Sequence, residues 1–78
     1  MTTNFNYTEF KNGKIATTKL GKAVKFLSEN ADGTIMVAQE KYRGHGFDDI
    51  NCPAEALKYG KDGIRKNFPT PFNQLYFA

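Results

Sequence analysis

"GKAVKFLSENADGTIMVAQ", residues 21–39, holds two apolar alternations separated by a polar stretch, and the way they pair decides the fold. Val24 and Phe26 fall on one side of an extended strand, as do Ile35 and Val37 on the next. A loop over Asn30 to Gly33 sets Phe26 opposite Val37 and Ser28 opposite Ile35, bringing four apolar side chains onto one face. A two-residue turn at Asp32 and Gly33 would place Asn30 opposite Ile35 instead, so the spacing predicts the longer loop. The other face carries Lys25, Leu27, Met36 and Ala38, too apolar to be fully wet, and predicts cover from elsewhere in the chain.

Working outward from this hairpin, residues 4–10 place Phe5 and Tyr7 on one face of a strand, and Asn12-Gly13 suits a turn with positive φ. A first hairpin over residues 4–20 is expected. Downstream, "YRGHGFDDINCP", residues 42–53, reads as the bend from strand into helix. Pro53 suits a first helical position, Glu55 the first turn and Gly60 the stop, which predicts a short helix over 53–59. Extending it to Lys66 would place Gly60 and Gly63 inside, at about 1 kcal/mol each. The expectation beyond it is a turn at 61–63, a strand over 64–68, an interruption at Pro69 and Pro71, and a last strand over 72–77.

The expected fold is therefore α+β: a small, mainly antiparallel β-sheet or barrel-like domain of five to six short strands with one short helix. A chain of 78 residues makes one domain, here 1–78, and it buries only about 60–65% of the surface its unfolded form exposes. Core candidates are Phe5, Tyr7, Val24, Phe26, Ile35, Val37, Leu57, Ile64, Leu75 and Phe77. In length and strand count alone the pattern resembles SH3-like small barrels, which serve many partners and so imply no particular function.

Residues 42–53 also contain the lone histidine and the lone cysteine. His45, Asp48, Asp49 and Cys52 are residue types that suit zinc, but their spacing follows no paired-ligand pattern, so no metal and no cofactor are expected. A thiol before a helix start can be activated, yet His45, as its base, stands seven residues away. No phosphate loop, dinucleotide fingerprint or serine elbow is present, and the chain is not expected to be an enzyme. A single cysteine forms no internal disulfide, and the first ten residues lack the basic and apolar regions of a signal peptide, which together suggest a cytoplasmic protein. No apolar run approaches the roughly 20 residues of a membrane span.

What remains is binding. The net charge of +3 conceals a basic, acidic, basic order: +4 over 1–25, −4 over 26–55 and +3 over 56–78, an order that folding can neutralise internally. The leading expectation is a regulator or inhibitor docking on a larger protein or complex, with Tyr42, Arg43, Phe47 and Tyr59 as anchors. Viral and mobile-element accessory proteins are often of this build. The alternative is nucleic-acid binding through a strand surface lined by Lys11, Lys14, Lys19, Lys22 and Lys25. A free strand edge would also permit a homodimer.

Overall fold

The computed structural model describes residues 5–48 and 50–77. Its first element is helix α1, Tyr7–Lys11, where a strand is expected (Asn4 of that strand lies outside the described residues). The reason is capping. Asn6 takes an extended conformation and its side chain accepts a hydrogen bond from the Glu9 backbone N–H at 3.2 Å, while Glu9 and Lys11 occupy the turns favoured by the helix dipole. One turn later Phe10 points inward and is fully buried.

Four strands follow: β1, Ala16–Thr17; β2, Ala23–Glu29; β3, Ile35–Gln39; and β4, Glu55–Tyr59. They form one antiparallel sheet in the order β1-β2-β3-β4. Among the described residues four strands stand where five or six are expected. The first hairpin is also displaced: it joins β1 to β2 across a turn in which Thr18 O accepts from Gly21 N–H at 2.9 Å and Lys22 O from Thr18 N–H at 3.0 Å.

The β2–β3 hairpin forms as its alternation requires, with Phe26 opposite Val37. A bulge at Leu27 then shifts the register, so that Ser28 faces Met36 and Glu29 faces Ile35. The cause lies in the loop. Asn30 N–H donates to Thr34 O at 2.8 Å, and the Asp32 carboxylate accepts from both Thr34 N–H and its hydroxyl, which closes a five-residue loop over 30–34.

The expected helix over 53–59 is strand β4. Leu57 and Tyr59 alternate inward and pair with Val37 and Ile35 along the outer edge of β3. Covering that edge and burying two large side chains outweighs the local helix punctuation at Pro53, Glu55 and Gly60. Past β4 the chain turns tightly at 60–64 and pairs with it briefly again, Arg65 bridging to Tyr59 and Lys66 N–H donating to Lys58 O at 3.1 Å, while Ile64 is 38% exposed and is not a core residue. Pro71–Asn73 form a single 3-10 turn in place of a last strand. Leu75 and Phe77 then drop into the core, held by Leu75 N–H to Gly63 O at 2.8 Å and by a two-way bridge between Thr17 and Tyr76.

The core occupies one face of the sheet: Phe10, Ala16, Val24, Ile35, Val37, Leu57, Tyr59, Leu75 and Phe77, with Phe5, Tyr7 and Phe26 packed against it. Phe5 stacks between Phe10 and Phe77 at ring separations of 5.3 and 5.5 Å. Gly63 closes this side because a Cβ there would come within 3.1 Å of the Phe5 ring, at a φ of +84° that favours glycine. Among the described residues no helix is long and apolar enough to cross a membrane.

Candidate binding surfaces

The bend at 42–53 is organised from beneath by Glu40, the residue that follows β3. Its side chain is buried, and its carboxylate accepts from Ala23 N–H at 2.8 Å, Gly46 N–H at 3.1 Å and Gly44 N–H at 3.3 Å. Burial pushes the Glu40 carboxyl upward, but the three amides together with nearby His45 prevail and hold it below the usual carboxylate range. Gly44 and Gly46 both have positive φ, and their amides turn inward to reach the acid. The glycines that bracket His45 are thus the means of wrapping a loop around a buried anion.

His45 itself is exposed, edge-on to Tyr42 at 6.2 Å, and Cys52 is buried. Among the described residues no three His, Cys, Asp or Glu side chains gather as a metal group; Asp49 lies outside those residues.

The same loop borders an open groove of about 500 Å³ on the second face of the sheet. Lys25, Ala38 and Ala56 lie side by side across β2, β3 and β4 and form its floor. Phe47, Asp48, Ile50, Pro53 and Ala54 form one wall and the bulged Leu27 contributes to another. Leu27 is 47% exposed and Ile50 94% exposed, so the cover that this face calls for is incomplete. Lys25 Nζ sits 4.8 Å above the Phe47 ring.

Of the four expected anchors, Phe47 lines this groove, half-buried. Tyr42 and Arg43 are exposed at one end of the sheet, Arg43 lying on Gly21. Tyr59 belongs to the core: it is fully buried, and its hydroxyl donates to Asn73 O at 2.7 Å. Burial pushes its phenol up to about 12 against the opposing pull of Arg65.

The five lysines do not line one surface. Lys11 pairs with Glu29 at 3.7 Å and Lys14 with Glu9 at 3.8 Å, Lys14 also standing 4.2 Å over the Phe77 ring. Lys25 belongs to the groove. Lys19 and Lys22 sit on the turn between β1 and β2, and neither forms a salt bridge among the described residues. Folding therefore distributes the lysines over three places.

The sequence reading missed two exposed rings, Phe68 at 73% and Phe72 at 57%, having placed both in strands. The signal against strands was Pro69 and Pro71, which remove the amides a strand needs. Phe68 has φ of +58°, a conformation uncommon for a bulky residue. Its carbonyl accepts from Thr70 N–H at 2.8 Å and from the Asn73 side-chain amide at 3.0 Å. Lys19 Nζ lies 6.0 Å from the Phe72 ring, and the Arg65 guanidinium 5.9 Å from that of Phe68. No protein-family model matches the chain, and comparison with curated proteins and with solved structures finds no match.

Proposed function

We propose that this chain is a non-enzymatic binding protein, a regulator or inhibitor that docks on a larger protein through the groove on the second face of its sheet. The observation that supports this reading is the apolar character of a surface left open: Leu27, Phe47 and Ile50 stand around an alanine floor. A knob-like apolar side chain of a partner would fill the groove and exclude water from it, gaining about 25 cal/mol per Å² of apolar surface covered. Lys25 and Asp48, one of each sign on its rim, would set orientation. Phe47 remains an anchor on this reading, and Tyr42 and Arg43 lie outside the groove lining.

The test is capture on the tagged chain from lysates of its source cells and of any host, after nuclease treatment, compared with a Leu27→Asp, Ile50→Asp double variant. Both substitutions are at exposed positions, and circular dichroism checks the fold. A protein retained in stoichiometric amount by the wild type and lost from the variant is the expected result. Equal retention by both, or no retained protein from either lysate, would overturn the groove as the docking site.

A further inference from the structure

A second surface, independent of the groove, has a different chemistry. At the end of the sheet opposite the 30–34 loop, the turn between β1 and β2 presents Lys19, Leu20 and Lys22, and the Arg43 side chain packs directly on Gly21, where a Cβ would come within 2.6 Å of its Cδ. Lys19 connects this cluster to the exposed ring of Phe72. Phe72 lies in the 68–73 loop, whose Thr70 amide and Asn73 side chain donate to the Phe68 carbonyl, and the Phe68 ring is accompanied by Arg65.

Among the described residues Lys19, Lys22, Arg43 and Arg65 form no salt bridge. The carboxylate beneath the cluster, Glu40, is buried and committed to three backbone amides. The result is two solvent-facing rings, each with a cation near it, and two further cations, Lys22 on the turn that carries Lys19 and Arg43 packed against that turn. A positive track with exposed rings alongside fits a polyanion that also offers flat π-faces. Duplex nucleic acid keeps its bases stacked and offers those faces only at its ends.

We propose that this edge binds single-stranded nucleic acid, with phosphates taken by Lys19, Lys22 and Arg43 and bases stacked on Phe72 and Phe68. The longest dimension of the molecule is 31 Å, so the site is short, on the order of four nucleotides. Three phosphate contacts on a single strand imply a logarithmic salt slope of about −2.

The experiment is fluorescence anisotropy of a labelled twelve-nucleotide oligothymidylate with the full chain, at 50 and 200 mM NaCl. Saturable binding at the lower salt, weakened roughly 20-fold at the higher, is expected. Phe72→Ala should weaken it by about 5- to 150-fold, the range for one stacked base, and Lys19→Glu with Arg43→Glu should abolish it. Lys11→Glu with Lys14→Glu, which reverses as much charge on ion-paired residues, should leave affinity within about threefold at this screening. Circular dichroism verifies that each variant is folded.

The proposal is overturned if no binding occurs at 50 mM NaCl up to about 100 μM protein, the weak end of non-specific affinity, or if both charge-reversed pairs lose binding equally. It is also overturned if the chain ignores the oligonucleotide but binds vesicles containing phosphatidylserine, since the rings would then belong to a lipid surface.

Discussion

Where α1, the 30–34 loop and the turn after β4 meet, Glu29 and Asp32 gather lysines, whereas at the opposite end of the sheet Lys19, Lys22 and Arg43 form no salt bridge among the described residues. At the first end Glu29 accepts the Tyr7 hydroxyl at 2.6 Å and pairs with Lys61 at 3.6 Å and Lys11 at 3.7 Å, and Asp32 pairs with Lys58 at 3.0 Å. The Tyr7 hydrogen bond and the two lysines hold Glu29 below its usual range, and Asp32 is lowered by the Thr34 hydroxyl and amide ahead of Lys58. At the second end exposed Lys19 and Arg43 and half-buried Lys22 lie near the buried Glu40. Among the described residues the salt bridges of this basic, acidic, basic chain thus gather at the first, matched end. The acids of the middle segment that reach the first end draw lysines from both flanks, while Glu40 is consumed by backbone amides and leaves the cations above it unpaired.

The contrast is broken most severely through the core beneath the matched end. Phe10 anchors α1 in the core and is fully buried, so Phe10→Ala should cost about 3–5 kcal/mol. That loss, measured by urea denaturation, would release α1 and with it the frame that holds Tyr7 and Lys11 at Glu29. If Phe10→Ala lowered stability by less than about 1 kcal/mol, α1 would not depend on the core for its position.

The next effect belongs to the unmatched end. Glu40→Gln exchanges a charged acceptor of three amides for an amide with one acceptor oxygen, and should cost about 1–3 kcal/mol at pH 7. The sign with pH follows from the depressed Glu40 value. Its contribution is present above the unfolded carboxylate range, near 4.3, and is lost as pH falls through the lower folded value. The difference between wild type and variant in urea midpoint should therefore be full at pH 7 and smaller at pH 3. A difference that stays constant with pH would mean that the ionised carboxylate is not what secures the bend.

How much of this was legible depended on whether a signal was local. The β2–β3 hairpin was readable because two period-2 runs face each other across one loop, and Phe26 opposite Val37 follows from spacing alone. The bulge at Leu27 was not, because it depends on how Asn30, Asp32 and Thr34 close the loop, and that bulge also places Glu29 in line to gather its partners. β4 was misread because Pro53, Glu55 and Gly60 are helix signals, whereas the case for a strand is the open edge of β3, which no local window contains. The same alternation with Leu57 carries Tyr59 inward, so a residue type common at interfaces became a core residue. In α1 the capping pair Asn6 and Glu9 was present in the sequence but was overlooked beside the aromatic alternation of Phe5 and Tyr7. The groove was foreshadowed by the apolar second face and by Phe47, while the Phe68 and Phe72 rings were assigned to strands that their prolines prevent.

The smallest effect tests the matched end by its charges alone. Glu29 is solvent-facing, so its pairs with Lys11 and Lys61 are screened and costly in side-chain freedom, and Glu29→Gln should change the urea midpoint less than Glu40→Gln does. Its mark should appear in tyrosine titration instead. The Tyr7 phenol is raised to about 12, first by its hydrogen bond to Glu29, with burial and the Glu29 charge adding to it. A group raised on folding contributes stability below its unfolded value, near 10, and loses it as pH climbs through the folded one. Removing the Glu29 charge should therefore let one tyrosine ionise earlier in a titration followed by ultraviolet absorbance, with Tyr7→Phe identifying which one. Buried Tyr59, also raised to about 12 but by burial, should not respond. If Glu29→Gln left the tyrosine titration unchanged, the Tyr7–Glu29 bond would not persist in solution, and the matched end would owe its form to Phe10 and the core alone.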